Sequence, residues 1–292
     1  MRNAEFSHAT LILAGHGSTT NPDSERPVFQ HAAELRRRGV FGSVREAFWK
    51  QQPLVTTVMS EASSPLVIIV PLFISEGYFT EEVIPEALGF RRRGQEVFSR
   101  TLRRGTQTLF YGRPVGTHES MAKVILARAV GVLDQFPFPR KAFASETTLF
   151  IAGHGTDRNA NSRRAIERQS DLIRARNLFA AVWAVFMEEA PRIEECPLLA
   201  RTENIVLVPF FISDGLHASE DIPVLLGEPR PEVEERLRLG QPAWRNPTKR
   251  NGKLIWYASS VGSEPSMADV VLERAVETFH ADAGEYPVLG RE

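Results

Sequence analysis

Short apolar runs broken by longer polar segments set the rhythm of this chain. Thr10–Ala14 is apolar at nearly every position, as expected for a strand buried on both faces. In the following stretch, "DSERPVFQHAAELRRRG", Val28, Ala32 and Leu35 fall at helical spacing and Gly39 supplies a stop. Arg45–Trp49 reads as a second strand, "PLVIIVPLFIS" as a third and "TLFYGRPVG" as a fourth. "SMAKVILARAVGVL" then reads as an amphipathic helix. The order recurs later in "TLFIAG", a helix near Ser162–Arg176, "AVWAVF", "NIVLVPFFIS", "LIWYAS" and "SMADVVLERAVETF". Apolar strands alternating with helices predict an α/β fold with parallel sheets covered by helices.

The recurrence is an internal repeat. A constant offset of 138 residues carries His16 onto His154, Asn21 onto Asn159, Phe48 onto Phe186 and Pro53 onto Pro191. It also carries "VPLFISEG" (Val70 to Gly77) onto "VPFFISDG" (Val208 to Gly215), and Ile84-Pro85 onto Ile222-Pro223. Farther on, "VGTHESM" matches "VGSEPSM" at an offset of 146, so the second half holds a net insertion of eight residues before its last strand. Two similar lobes are expected, 1–141 and 142–292, divided near the Pro/Lys/Arg stretch "PFPRKAFASE". A cleft between lobes, at the C-terminal ends of the strands, is the expected ligand site.

Composition narrows the function classes. A formal net charge of −1 gives no electrostatic reason to expect nucleic acid binding. The lone cysteine, Cys196, can form no internal disulfide and anchors no Cys cluster. No stretch of about 18 apolar residues suggests a membrane span, and the N-terminal segment lacks the pattern of a signal peptide. Cytoplasmic residence is therefore the default expectation.

The strongest chemical signal is a Gly-His-Gly turn closing the first strand of each half, "LAGHGSTTN" and "IAGHGTDRN". Glycines permit a sharp turn and leave room beside the imidazole. One such turn suits a histidine that merely hydrogen-bonds its loop; a pair at equivalent positions favours function. The halves then diverge. After its second strand the later half has Glu188 where the earlier has Lys50, and after its third it has His217 where the earlier has Phe79. His154, Glu188 and His217 are thus expected at three neighbouring strand ends, whereas the first half offers His16 alone. Two imidazoles and a carboxylate suit a divalent transition metal, and equally suit proton abstraction near neutral pH.

The order "AGHG[ST]…F.E..P…VP.FIS.G.H….DIP" resembles the class II tetrapyrrole chelatases, in particular the sirohydrochlorin cobaltochelatase/ferrochelatase family, in a tandem-repeat form covering nearly the whole chain. The resemblance implies a chelatase-like fold and a lyase that inserts Co²⁺ or Fe²⁺ into sirohydrochlorin or a related tetrapyrrole, in cobalamin or sirohaem biosynthesis. It implies His154, Glu188 and His217 around the metal, with His16 as the matching first histidine of the other lobe. It implies no organic cofactor, the metal and the tetrapyrrole as substrates, no nucleic acid or membrane partner, and a monomer or small homo-oligomer. Which of the three later residues acts as base stays open. Lys50 and Phe79 depart from the family pattern and point to one metal site per chain.

The expected substrate carries many carboxylates, so the arginines of "GFRRRGQEVFSRTLRRG", Arg91 to Arg104, are candidates for its rim, although a solvated surface accounts for them equally well. Phe73, Phe79, Phe210 and Phe211 are candidates to line the ring slot, with Phe73 and Phe211 expected in the core and Phe79 exposed. His118, ahead of a helix, reads as a neighbour of that helix's cap, with a cleft residue as the alternative. Two rivals remain. One is a non-catalytic metal or tetrapyrrole delivery protein of the same fold. The other is a phosphohistidine enzyme, which Gly15 and Gly153 disfavour because they stand where an arginine would hold phosphate.

Overall fold

A computed structural model describes residues 5–19, 22–155 and 160–283. Asn21 and Asn159, matched by the repeat, lie outside the described residues. The first repeat runs β1 (Ala9–Gly15), α1 (Arg26–Arg38), β2 (Ser43–Phe48), α2 (Val55–Glu61), β3 (Leu66–Pro71), α3 (Ile84–Ala87), β4 (Thr101–Arg104), β5 (Gln107–Tyr111) and α4 (Met121–Gln135). The second runs β6 (Thr147–Gly153), α5 (Ala160–Arg174), β7 (Ala181–Phe186), α6 (Cys196–Leu199), β8 (Asn204–Pro209), α7 (Ile222–Leu225), α8 (Arg230–Arg238), β9 (Thr248–Arg250), β10 (Lys253–Tyr257) and α9 (Met267–Ala283).

Each repeat builds one five-stranded sheet, ordered β2-β1-β3-β5-β4 and β7-β6-β8-β10-β9. Four strands of each are parallel, as the alternating pattern predicts. The fifth, β4 or β9, is antiparallel to its neighbour and sits at the edge. Both edge strands are short and polar, so they carry no apolar signature. Part of the arginine-rich stretch "GFRRRGQEVFSRTLRRG" forms β4.

The central strands explain the apolar runs. Every residue of β1 and of β6 is buried. In α1, Val28, Ala32 and Leu35 face the interior, and Gly39 ends the helix in the left-handed conformation at φ 63°. The eight-residue insertion falls in the segment that holds α8, a helix with no counterpart in the first repeat.

The chain divides into two compact units, but not at the 141/142 boundary expected from the repeat. One unit holds the described residues up to His118 together with those from Ala268 onward; the other spans Glu119–Met267. The closing helix of each repeat is therefore exchanged. In the first unit, Phe279 of α9 meets Phe6 and Phe110 at centroid distances of 5.2 and 5.6 Å, and Arg274 donates to Thr117 Oγ1 at 3.0 Å. In the second unit, Arg128 of α4 donates to the Ser260 carbonyl at 3.1 Å, and Trp256 Nε1 donates to the Phe136 carbonyl at 2.9 Å. The exchange is set by these long-range contacts, which no local pattern announces. His118, three residues before α4, stands 3.7 Å from both Glu273 and Glu277 of α9.

Candidate functional site

The Gly-His-Gly turns have a packing cause and a backbone cause. At the first glycine the following helix approaches too closely for a side chain: a Cβ on Gly153 would stand 2.0 Å from Ile166 Cδ1, and one on Gly15 would stand 2.7 Å from Val28 Cγ2. At the second glycine the backbone turns to positive φ, 71° at Gly17 and 67° at Gly155. The turn also aims the histidine. Nδ1 of His16 lies 2.8 Å from the Gly17 carbonyl, and Nδ1 of His154 lies 2.9 Å from the Gly155 carbonyl. A carbonyl only accepts, so Nδ1 carries the proton and Nε2 keeps the lone pair.

Backbone pairing places the next position. Beyond the end of β2 and β7 backbone hydrogen bonds to the histidine turn continue. The Lys50 amide donates to the His16 carbonyl at 2.9 Å, and the Glu188 amide donates to the His154 carbonyl at 3.1 Å. Glu188 is thereby fixed beside His154, its Oε2 lying 3.6 Å from the imidazole Nδ1.

The third position sits on a wide helical turn of π type after β3 or β8, Tyr78–Val83 in one repeat and His217–Asp221 in the other. A buried phenol pins each turn: Tyr111 donates to the Thr80 carbonyl at 3.0 Å, and Tyr257 donates to the Ala218 carbonyl. Desolvation pushes both phenols well above the usual tyrosine range, so both remain donors. The turn brings His217 against His154, with ring centroids 5.0 Å apart and planes at 85°.

Asp221 completes this arrangement, and the sequence reading passes over it. It lies four residues after His217, one turn on along the same face, and its Oδ2 accepts from His217 Nδ1 at 2.8 Å. Nε2 of His217 is again the free lone pair. Arg230, from the added helix α8, contacts Asp221 Oδ1 at 3.3 Å and also pairs with Glu220. The legible signal was the His-x-x-x-Asp spacing. Its counterpart in the first repeat is Val83, so the first repeat lacks the orienting carboxylate too.

His154 therefore stands against both Glu188 and His217, and all three are accessible: side-chain exposure is 39% for His154, 48% for His217 and 58% for Glu188. They do not form a finished cage. Among the described residues no group of three His, Cys, Asp or Glu is assembled to hold a metal ion. Two Nε2 lone pairs are presented, while Glu188 stands on the Nδ1 side of His154.

In the first repeat His16 meets aromatic rings in place of ligands. Its ring is 4.6 Å from Phe79 at 84° and 6.3 Å from Phe73. Lys50 Nζ lies 5.8 Å from the Phe79 centroid. Burial, opposed by the Gly17 hydrogen bond and reinforced by the Lys50 charge, holds His16 below the ordinary histidine value.

The remaining expectations are mixed. Phe79, expected exposed, is half-buried against the core along with Phe73; Phe211 is half-buried and Phe210 fully buried. Arg91 pairs with Glu82 and Glu86, Arg100 with Glu81, and Arg104 donates to the Met59 carbonyl, so these three are engaged within the fold. Cys196 is buried, and desolvation pushes its thiol up, away from metal chemistry. Among the described residues no helix is long and apolar enough to cross a membrane.

Comparison with known proteins follows the same two-part layout. The CbiX family model matches residues 10–131 and again 148–278. A probable sirohydrochlorin cobaltochelatase of Halobacterium salinarum is 43% identical over 284 residues, covering 94% of this chain and 91% of that protein. The crystal structure of DR2241 from Deinococcus radiodurans, a multi-domain protein with structural similarity to chelatases and two additional novel domains, matches at 30% identity and a TM-score of 0.73. The match covers 92% of this chain and 54% of that longer one. SirB from Bacillus subtilis with Fe³⁺ matches at a TM-score of 0.65 and 15% identity, covering 95% of this chain and 98% of that one, a likeness of fold.

Proposed function

The chain belongs to the CbiX family, and from that premise we propose that it is a metal chelatase inserting a divalent ion, Co²⁺ or Fe²⁺, into sirohydrochlorin, in cobalamin or sirohaem synthesis. The reading is supported by a 43% identical relative named a probable sirohydrochlorin cobaltochelatase. The observation that carries it is the pair of imidazoles, His154 and His217, 5.0 Å apart, with neither Nε2 atom hydrogen-bonded among the described residues.

Insertion exchanges two pyrrole N–H protons for the ion, so the protein must hold M²⁺ and accept protons. His154 and His217 hold the incoming ion through Nε2. Their Nδ1 protons are committed to a carbonyl and a carboxylate, which fixes the tautomer and raises the basicity of the ligating nitrogen. Asp221 orients His217, and Arg230 braces Asp221. Glu188, beside His154 and well exposed, accepts protons from the macrocycle and passes them to water. The open coordination of the site suits an ion that must be released: a complete cage would retain it. His16 lies outside the metal site and affects activity less.

The test is direct. Purified protein mixed with Co²⁺ and sirohydrochlorin should develop the absorption spectrum of the metallated product at a rate above that of the protein-free mixture. Stoichiometric binding of both substrates with no acceleration would instead identify a delivery protein of the same fold.

A further inference from the structure

The loop that leads into the His217 turn is tied down by a chain of hydrogen bonds that starts on α4. Arg128, whose charge Glu264 balances at 3.3 Å, donates through Nε to the Ser260 carbonyl at 3.1 Å and through Nη2 to Ser263 Oγ at 2.8 Å. Ser263 Oγ has one proton to give, and its nearer acceptor is Asp214 Oδ2 at 2.7 Å. The Ser260 amide donates to Asp214 Oδ1 at 2.6 Å, and Ser260 Oγ donates to the Ser213 carbonyl at 3.1 Å. Both carboxylate oxygens of Asp214 are thus held by the segment after β10. The next carbonyl, that of Gly215, accepts from the Ser219 amide at 2.9 Å and from Ser219 Oγ at 3.1 Å, inside the turn itself. Asp214 also acts by a second route. Its charge adds to desolvation in keeping the Tyr257 phenol protonated, and that phenol pins the Ala218 carbonyl.

The first unit has the helix end of this chain and stops there. Arg274 of α9 donates to the Pro114 carbonyl at 3.2 Å and to Thr117 Oγ1 at 3.0 Å, as Arg128 does to Ser260 and Ser263. Pro114 stands where the second repeat has Ser260, and a proline has no N–H to give. Thr117 Oγ1 donates back to the Pro114 carbonyl at 2.9 Å. Glu76, at the position of Asp214, pairs with Arg113 at 3.0 Å. Among the described residues the carboxylate link is therefore made in the unit that carries His217 and not in the other.

We propose that Asp214 is a positioning residue of the metal site, anchored by Arg128, so that the site of the second repeat depends on the helix it receives from the first. The inference rests on the metal-chelatase reading above. Asp214 holds no metal itself, because both its oxygens are committed to Ser260 and Ser263. It fixes the loop three residues before His217, and so fixes where Nε2 of His217 stands relative to that of His154.

Titration of the full chain with Co²⁺, followed by the visible absorption of the bound ion, tests this. Asp214→Ala should lower Co²⁺ affinity by about tenfold and change the shape of the absorption band, because the two imidazoles no longer converge. Asp214→Asn, whose Oδ1 still accepts from the Ser260 amide, should stay within about threefold of wild type. Arg128→Ala should cost about fivefold, and the double variant with Asp214→Ala should lose no more than Asp214→Ala alone, since both belong to one chain. Glu76→Ala, the matching change in the first repeat, should leave the affinity within about twofold of wild type. Circular dichroism at the assay temperature corrects each affinity for the folded fraction. Should Asp214→Ala fail to fold, Arg128→Lys, which keeps the charge and loses the forked contact, should still weaken Co²⁺ binding by about threefold. Unchanged affinity in folded Asp214→Ala or in Arg128→Lys, additive losses in the double variant, or an equal loss in Glu76→Ala would each overturn the assignment. Failure of the wild-type protein to bind Co²⁺ would instead overturn the reading on which it rests.

Discussion

At the ends of their second strands the two repeats hold opposite charges in the same backbone frame. Glu188 and Lys50 each donate a backbone N–H hydrogen bond to the carbonyl of the preceding turn's histidine. His154 and His16 each commit Nδ1 to the carbonyl of the next glycine. From this shared frame one repeat presents two imidazoles braced by Asp221, and the other presents an imidazole enclosed by Phe79 and Phe73. The frame alone therefore carries no chemistry. Three side chains decide it, and they change together.

The largest expected effect comes from the histidines of that frame. His154→Ala should reduce metallation by about 10²–10⁴, the range for losing a group that acts directly on the reacting centre. His16→Ala should cost less than about fivefold in the same assay, because the comparison assigns it no metal. Equal losses in initial-rate measurements would erase the distinction between the repeats.

Next is the brace. Asp221→Ala should lower Co²⁺ affinity by about 10–100-fold, the usual cost of removing the partner of a ligating histidine. The equivalent change in the first repeat, Val83→Ala, should leave Co²⁺ affinity unchanged by calorimetry. A null result for Asp221→Ala would mean that packing alone orients His217.

Much of this was legible in the sequence, and the reasons differ by element. The apolar runs of β1, β3, β6 and β8 and the Val28–Ala32–Leu35 stripe of α1 reflect burial on defined faces, which period alone reveals. The expectation for His154 came from a turn repeated in both halves, and that for Glu188 and His217 from asking what differs between halves sharing one offset. Asp221 escaped because its contact is with another side chain, His217, and it resembles any helix-surface carboxylate until the turn is seen. Arg230 escaped because it lies in the insertion, where no counterpart exists to compare. The short polar edge strands β4 and β9 carry no apolar signature. The exchange of α4 and α9 depends on contacts such as Phe279 with Phe6, whose partners are far apart in the chain.

The smallest expected effect is on proton affinity. Burial is the main cause holding His16 below its ordinary value of 6.5, with Lys50 contributing in the same sense. The unfolded chain then binds this proton more readily than the folded one. The associated stability is complete above 6.5 and is lost as pH falls from there through the lower folded value. An NMR titration should show His16 titrating below 6.5, rising in Lys50→Ala yet remaining depressed because burial persists. A titration at or above 6.5 would contradict the enclosed environment of His16.

The central claim is that the protein binds its metal substrate in the second repeat alone. Equilibrium titration of the full chain with Co²⁺, followed by the visible absorption of the bound ion, measures this without reference to turnover. The account predicts one ion per chain, abolished by His154→Ala and by His217→Ala and retained in His16→Ala. Two ions per chain, or a single ion lost with His16 and kept without His154, would contradict it.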